Sequence, residues 1–185
     1  MQIGQTTVSV VRGSVLDQNV DAVVNAANTG MRGGGGVDGA IHAAAGPELL
    51  QELRRVVPHS CPRGEAVITH GHRLKQPWII HTPGPVWNGG DQNEDALLAS
   101  SYRRCLEVAE ENGLRSLAFC SISTGAYRFP RDRTAGIAVK TVQQYLKAHP
   151  ETSLRQIVFA MYRAEEYEVF QHALESIAPE EDKTG

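Results

Sequence analysis

The sequence has few cysteines, no long apolar run and no excess of charge of one sign. Its three cysteines, Cys61, Cys105 and Cys120, are widely spaced and form no Cys-x-x-Cys motif, so neither a disulfide framework nor a zinc knuckle is indicated. No apolar run approaches the roughly 20 residues that span a bilayer. The start, from Met1 to Gln5, lacks the basic-then-apolar pattern of a secretory signal. We therefore expect a cytoplasmic protein with no membrane partner.

The charge balance also excludes a class of function. The 18 basic and 21 acidic residues give a formal net charge of −3, whereas a protein that coats nucleic acid carries a strong basic excess. No strong nucleic-acid binding is expected. The length of 185 residues fits one domain. We predict a single domain over residues 1–185, with a polar tail from about Pro179.

Strand-like and helix-like patterns alternate along the chain. Short β-branched or apolar runs predict strands at 7–12, 21–26, 64–70, 78–82, 116–121 and 156–161. Apolar residues at helical spacing predict helices at 37–45, 47–57, 93–112, 131–149 and 164–177. This alternation predicts an α/β fold with a mainly parallel sheet between helical layers and ligands at the carboxyl ends of the strands.

Four consecutive glycines, Gly33 to Gly36, lie between a predicted buried strand and a predicted helix. Such a run is costly in backbone entropy. It makes sense where the backbone must approach a ligand closely and direct several N–H groups to one anion. The helix N-terminus that follows adds a favourable partial positive charge. The alternative is a flexible hairpin or linker.

A second loop, from Ser121 to Tyr127, also follows a predicted strand and precedes a predicted helix. Its serine, threonine and glycine residues supply hydroxyl and backbone donors without bulk, although an ordinary turn at Gly125 is the alternative. Together the two loops predict a cleft that fits a pyrophosphate. The string Gly34-x-Gly36-x-x-Gly39 satisfies the dinucleotide-binding pattern, but no acidic residue ends a strand about 20 positions later, as that site requires.

Five short motifs occur in order between about Thr7 and Ile177. They are Asn25-Ala-Ala-Asn28, the stretch from Gly33 to His42, Ala44-Ala-Gly46, His81-Thr-x-Gly84-Pro85 and Ile122-Ser-Thr-Gly-x-Tyr127. Together they resemble the MacroD-type macrodomains, which include bacterial O-acetyl-ADP-ribose deacetylases. The resemblance implies a three-layer α/β/α fold with a mixed, mostly parallel central sheet. It also implies ADP-ribose or O-acetyl-ADP-ribose in a cleft on the crest of that sheet.

The resemblance implies a set of ligand-binding residues by position. They are Ser14, Val15, Ala27, Gly35, Gly36, Val37, Ser123, Thr124, Gly125, Ala126, Tyr127 and Tyr162. Gly35, Gly36 and Val37 belong to the loop that cradles the diphosphate and distal ribose, and the residues from Ser123 form the opposing loop. Tyr162 takes the position of an aromatic residue that packs on the adenine.

The candidate catalytic residues are Asn28, Asp38 and Tyr127. Releasing an acyl group from a ribose needs a positioned water, a polarised carbonyl and a stabilised leaving hydroxyl. Asp38, in the first turn of a helix, suits orienting a ribose hydroxyl or a water, and Asn28 offers both a donor and an acceptor. The alternative is that Asp38 is only a helix residue and Asn28 only a turn former. The resemblance implies no metal and no other cofactor, because the diphosphate of the substrate helps to activate the water.

Three residues depart from the pattern of that family. Ser14 stands where members usually carry an aspartate that bonds to the adenine amino group, so we expect weaker base selectivity. Arg128 replaces a common glycine and is expected beside the pyrophosphate, beside the modified partner or in solvent. Arg163 replaces a common acidic residue and is expected either near the base or at the surface.

The sequence therefore predicts a metal-independent hydrolase of ADP-ribose esters. It would deacetylate O-acetyl-ADP-ribose or remove mono-ADP-ribose from acidic side chains, with ADP-ribosylated proteins as partners. The alternatives are a non-catalytic ADP-ribose reader and a regulatory partner protein, for example of an RNA-processing enzyme. His70-x-His72 could bind a metal, but the sequence offers no third ligand in register.

Overall fold

The computed structural model describes residues 1–177, which form one seven-stranded sheet in the order β1-β2-β7-β6-β3-β5-β4. The strands are β1 (Gln2–Ile3), β2 (Thr6–Arg12), β3 (Ala22–Ala27), β4 (Val67–His70), β5 (Trp78–Pro83), β6 (Ser116–Phe119) and β7 (Gln156–Met161). The helices are α1 (Gly36–Ala45), α2 (Glu48–Val56), α3 (Glu94–Glu111), α4 (Arg131–Ala148) and α5 (Ala164–Ser176), with a short 3-10 turn at Val15–Asp17.

The sheet is mixed and mostly parallel, as predicted. Strands β2, β7, β6, β3 and β5 run parallel to their neighbours, and only the outer strands β1 and β4 are antiparallel. The crossover from β3 to β5 runs in one direction along the sheet, and those from β5 to β6 and β6 to β7 run in the other. Because such crossovers are right-handed, α1 and α2 cover one face, and α3 and α4 cover the other, where α5 packs against α4. The three-layer α/β/α prediction is therefore confirmed.

The predicted elements match the observed ones with small differences at their ends. Strand β4 begins at Val67 instead of at 64, and β6 ends at Phe119 instead of at 121. The chain at Gly64 bonds to the carbonyl of Pro83, beyond the ladder of β4 with β5. The two-residue strand β1 was not predicted. The predicted polar tail from Pro179 lies outside the described residues.

The core lies on both faces of the central strands. Five of the six residues of β3 are buried, as expected of a strand covered on both sides. On the face of α3 to α5, the rings of Tyr102, Phe119, Phe159 and Phe170 are in contact. All three cysteines are free and buried. Within residues 1–177, no helix combines the length and apolar character needed to cross a membrane.

Candidate functional site

The carboxyl ends of the parallel strands β3 and β6 lie side by side at one edge of the sheet, which is where we expect the ligand crevice. The chain leaves β3 toward α1 on one face of the sheet and leaves β6 toward α4 on the other face. Neighbouring parallel strands with connections on opposite faces are where α/β sheets bind ligands. The first loop, residues 28–35, follows β3, and the second loop, from Ser121 to Tyr127, follows β6 at this edge. The structure thus brings together the two loops that the sequence predicted as a pair.

The glycines at the end of the first loop leave the backbone accessible. Gly34, Gly35 and Gly36 are exposed, and a Cβ atom placed on Gly35 or Gly36 would meet nothing within 4 Å. Gly36 has φ of +57°, which favours glycine. No side chain caps the N-terminus of α1. The first N–H groups of this helix are therefore available to an anion.

The side chain of Asn28 fixes the shape of the first loop. Its Nδ2 donates to the carbonyl of Gly33 at 3.0 Å, and its Oδ1 accepts from the N–H of Met31 at 3.0 Å. Met31 is buried with φ of +57°, so the loop turns sharply there. Asn28 thus has the turn-forming role that was the alternative to catalysis. Its Nδ2 also lies 3.5 Å from the Cβ position of Gly34, so the same amide borders the crevice.

The carboxylate of Asp38 is held in one orientation. Asp38 is 5% exposed, and its Oδ1 accepts a hydrogen bond of 2.8 Å from Nδ2 of Asn25. Nε2 of His42, one helical turn later, lies 3.4 Å from the same oxygen. The second oxygen, Oδ2, lies 3.2 Å from the Cβ position of Gly34 and has no hydrogen-bond donor among residues 1–177. One oxygen is therefore bound by the protein, and the other faces the first loop.

A buried polar chain behind Asp38 was not among the predicted site residues. The amide Nδ2 of Asn25 also lies 3.0 Å from Nδ1 of His81, and Nε2 of His81 lies 2.9 Å from Oγ1 of Thr69. Burial lowers the pKa of His81 to about 3, so its ring is neutral. Oδ1 of Asn25 has no partner among residues 1–177. Leaving a buried acceptor unpaired costs about 1–3 kcal/mol, so this orientation of the amide is held by its other contacts.

The second loop is tightly folded around Ser123. This residue has φ of +68°, is buried, and accepts at its carbonyl from the N–H of Phe129. Its hydroxyl has no hydrogen-bond partner among residues 1–177, and a Cβ on Gly84 would lie 2.2 Å from it. Only glycine at position 84 allows this close approach. The N–H of Ile122 donates to the buried hydroxyl of Tyr102 and anchors the start of the loop.

The outer part of the second loop faces solvent. Gly125 and Ala126 are exposed, and the hydroxyl of the half-buried Thr124 donates to Ser121 at 2.8 Å. The ring of Tyr127 is half-buried and packs against the guanidinium of Arg63, 5.2 Å from the ring centre. The predicted candidate Tyr127 is thus positioned by a residue that the sequence did not single out.

Arg128 follows with φ of +63° and is exposed. This exposure is compatible with each of the three locations expected for Arg128.

Ser14, Val15 and Tyr162 come together at the other end of the crevice. Strands β2 and β7 run parallel with Arg12 opposite Met161, so the chains leave the sheet side by side. The hydroxyl of Ser14 accepts from the N–H of Leu16 at 3.1 Å and caps the 3-10 turn. The side chain of Tyr162 is 74% exposed, and its carbonyl accepts from Nε of Arg12.

Of the other residues predicted for the site, Arg163 and Val15 lie at this end, whereas Ala27 lies at the end of β3. Arg163 is exposed immediately before α5 and next to Tyr162, which leaves both of its predicted locations open. Val15 is buried, and Ala27 is buried as the last residue of β3. The half-buried Ser14 and the exposed ring of Tyr162 thus form the open surface at this end, with Val15 buried beneath it.

The paired histidines have an acidic partner that the sequence did not reveal. The buried carboxylate of Glu52 contacts Nδ1 of His70 at 3.0 Å and Nε2 of His72 at 2.8 Å. The hydrogen bonds from His70 and His72 lower the pKa of Glu52 although burial opposes them. In the part of the chain that the structure describes, no group of three His, Cys, Asp or Glu residues is arranged to hold a metal ion.

Comparison with known proteins gives a consistent family. The family model described as "Macro domain" matches residues 24–138. A macro domain-containing protein of Caldanaerobacter subterraneus subsp. tengcongensis is 46% identical over 172 residues, which cover 92% of this chain and 97% of that protein. Another, of Methanosarcina mazei, is 51% identical over 154 residues and covers 82% of this chain and 81% of its own.

Solved structures of macrodomains are similar to this chain in fold, in agreement with the sequence comparisons. A mutant of the Oceanobacillus iheyensis macrodomain with ADPR has a TM-score of 0.88 at 38% identity, with 96% of both chains covered. The Trypanosoma brucei macrodomain in complex with ADP-ribose has a TM-score of 0.84 at 39% identity, covering 90% of this chain and 68% of that one. By sequence and by fold, this chain therefore belongs to the macro domain family.

Proposed function

We propose that this macro domain is a hydrolase that binds ADP-ribose and releases ester-linked groups from its distal ribose. Its substrates are O-acetyl-ADP-ribose and mono-ADP-ribosyl groups on acidic side chains of partner proteins. The Oceanobacillus iheyensis and Trypanosoma brucei macrodomains have ADPR and ADP-ribose in their structures. Their similarity to this chain supports the ligand class.

The observation that carries the proposal is the half-bound carboxylate of Asp38. Here Oδ1 is held by Asn25, while Oδ2 is directed toward Gly34 in the first loop. A preorganised acceptor of this kind can orient a ribose hydroxyl or a water without rearranging during the reaction.

The remaining site residues fit the binding of the rest of the ligand. The accessible N–H groups at the start of α1 and the small residues of the second loop suit a diphosphate. The exposed ring of Tyr162 suits stacking on a base. Asn28 borders the same part of the first loop as Asp38, and Tyr127 lies on the second loop, where its ring packs on Arg63.

The reaction is an ester hydrolysis. The oxygen of a water bonds to the ester carbonyl carbon, and the bond from that carbon to the ribose oxygen breaks. One proton of the water passes to the ribose oxygen, which leaves as a hydroxyl. The carboxylic acid that is released then ionises. Asp38 contributes by accepting a hydrogen bond from the water or from a neighbouring ribose hydroxyl.

The experiment measures turnover and binding separately. The protein is incubated with O-acetyl-ADP-ribose and with a mono-ADP-ribosylated protein, and its affinity for ADP-ribose is measured by calorimetry. For Asp38→Ala we expect turnover to fall on the order of 100-fold or more, with the affinity changed by only a few fold. Asp132→Ala is the matched control, since Asp132 lies in the first turn of α4 and is exposed; its turnover should be unchanged.

A reader module is the competing function, and the same data separate it from a hydrolase. If the wild-type protein binds ADP-ribose but turns over neither substrate, the hydrolase proposal fails and binding without catalysis remains.

A further inference from the structure

The register of three strands brings Asn25, His81 and Thr69 to one face of the sheet. Asn25 on β3 lies opposite His81 on β5, and His81 lies opposite Val67 on β4. Thr69 is two residues from Val67 and therefore points to the same side. This is the face that α1 covers, and Asp38 in the first turn of α1 meets Asn25 there.

Only one assignment of donors and acceptors satisfies the hydrogen bonds that run from Asp38 through Asn25 and His81 to Thr69. The carboxylate of Asp38 only accepts, so the amide of Asn25 must direct its nitrogen to it. The second proton of that nitrogen then points to Nδ1 of His81, which must accept. The ring is neutral because burial depresses its pKa, so its one proton is on Nε2.

Thr69 supplies the acceptor for this proton. Nε2 of His81 lies 2.9 Å from Oγ1 of Thr69, and that hydroxyl donates its own proton to the carbonyl of His70 at 3.2 Å. The hydroxyl oxygen is therefore free to accept from Nε2–H. Thr69 is 1% exposed, so no bulk water competes for this bond.

We propose that His81 and Thr69 are positioning residues, which hold the amide of Asn25 in the one orientation that fixes the Asp38 carboxylate for catalysis. The inference rests on the proposed function of Asp38. His81 acts as a neutral acceptor, and Thr69 keeps it in that tautomer. A ring with its proton on Nδ1 would favour the opposite orientation of the amide. The unpaired Oδ1 of Asn25 would then bond to His81, and Asp38 would lose the Asn25 donor and keep only the longer contact with Nε2 of His42.

The test removes the hydroxyl of Thr69 without changing the volume of the side chain. In Thr69→Val, Nε2 of His81 loses its acceptor. We expect NMR correlation of the ring nitrogens with the ring protons to show the proton on Nε2 in the wild type and a population with the proton on Nδ1 in this variant. We expect kcat to fall about tenfold or more, while KM and the affinity for ADP-ribose change less than threefold. In Thr69→Ser, which keeps the hydroxyl, the wild-type tautomer and kcat should return.

A second variant separates positioning from a general loss of stability. Thr6 is also a fully buried threonine, and its hydroxyl donates to the carbonyl of Leu154 at 2.8 Å at the far end of the sheet. Thr6→Val should lower the unfolding temperature about as much as Thr69→Val does, and leave kcat unchanged.

The outcomes distinguish this inference from the proposed function. If the wild-type protein hydrolyses esters and Thr69→Val keeps its kcat, or if kcat falls as much in Thr6→Val, the positioning role is wrong and the hydrolase stands. If the wild-type ring carries its proton on Nδ1, the positioning role is wrong whatever the activity. If the wild type hydrolyses no ester, the proposed function fails, and the positioning role of His81 and Thr69 in catalysis fails with it.

Discussion

The two ends of the crevice are built in opposite ways. At the end proposed to hold the distal ribose, which we call the ribose end, Asp38 is 5% exposed and is backed by hydrogen-bonded side chains from three strands. At the end proposed to hold the base, which we call the base end, Tyr162 is 74% exposed, and the hydrogen bonds of Ser14 within residues 1–177 are to its own turn. One end is fixed by buried polar contacts, and the other is an open surface.

This difference corresponds to two demands on a binding site. A catalytic group must be held within a fraction of an ångström, which requires packing and hydrogen bonds behind it. A stacking surface tolerates small displacements, because every base has a flat face and dispersion is not directional. We infer that the ribose end carries the chemistry, and the base end contributes affinity.

The largest expected effect is a loss of stability at low pH, which arises from the buried ring of His81 at the ribose end. The pKa of His81 is about 3 in the folded protein, against 6.5 in the unfolded chain. Between these values the unfolded chain binds the extra proton, so the free energy of unfolding falls as the pH drops through 6.5. At about 1.4 kcal/mol per pH unit, the wild type should lose roughly 2 kcal/mol between pH 7 and pH 5 through this group.

Urea unfolding of the wild type and of His81→Asn at both pH values measures this contribution. The variant should lose roughly 2 kcal/mol less than the wild type over the same interval. Equal losses would show that the buried ring does not set the pH dependence, and would remove the contrast between the two ends.

The next effect concerns affinity at the base end. Tyr162→Ala should weaken ADP-ribose binding about tenfold, because stacking of a base on an aromatic ring contributes about 1–3 kcal/mol. Turnover at saturating substrate should change little. Val56→Ala is the control, since Val56 is the other large exposed hydrophobic side chain in residues 1–177. Calorimetry that showed unchanged affinity in Tyr162→Ala would exclude the ring from the site.

The smallest effect tests base selectivity. Ser14→Asp restores the acidic residue that MacroD-type macrodomains usually carry, and aspartate also caps helical turns well. Since a charge-assisted hydrogen bond to the adenine amino group contributes about 1 kcal/mol more than a neutral one, ADP-ribose should bind about fivefold more tightly. The inosine analogue, which lacks the amino group, should gain no affinity. An equal gain for both ligands would contradict a role in base selection.

Much of the fold was predictable because its signals are local. The apolar run of β3 and the helical spacing in α3 and α4 come from neighbouring residues, and they gave the elements to within a few positions. The pairing of the two loops was also predictable, since each follows a parallel strand. The short strand β1 was missed, because two residues carry no periodicity.

The sequence alone determined the family, the order of the elements and the two loops of the crevice, through motifs whose residues are close together in the chain. Only the tertiary structure decided how Asp38 is held. Asn25 and His81 are 56 residues apart, and Thr69 is 12 from His81; they meet through the register of β3, β5 and β4. Register depends on which strands pair and on what each face buries, so no local pattern shows that these three side chains are connected by hydrogen bonds.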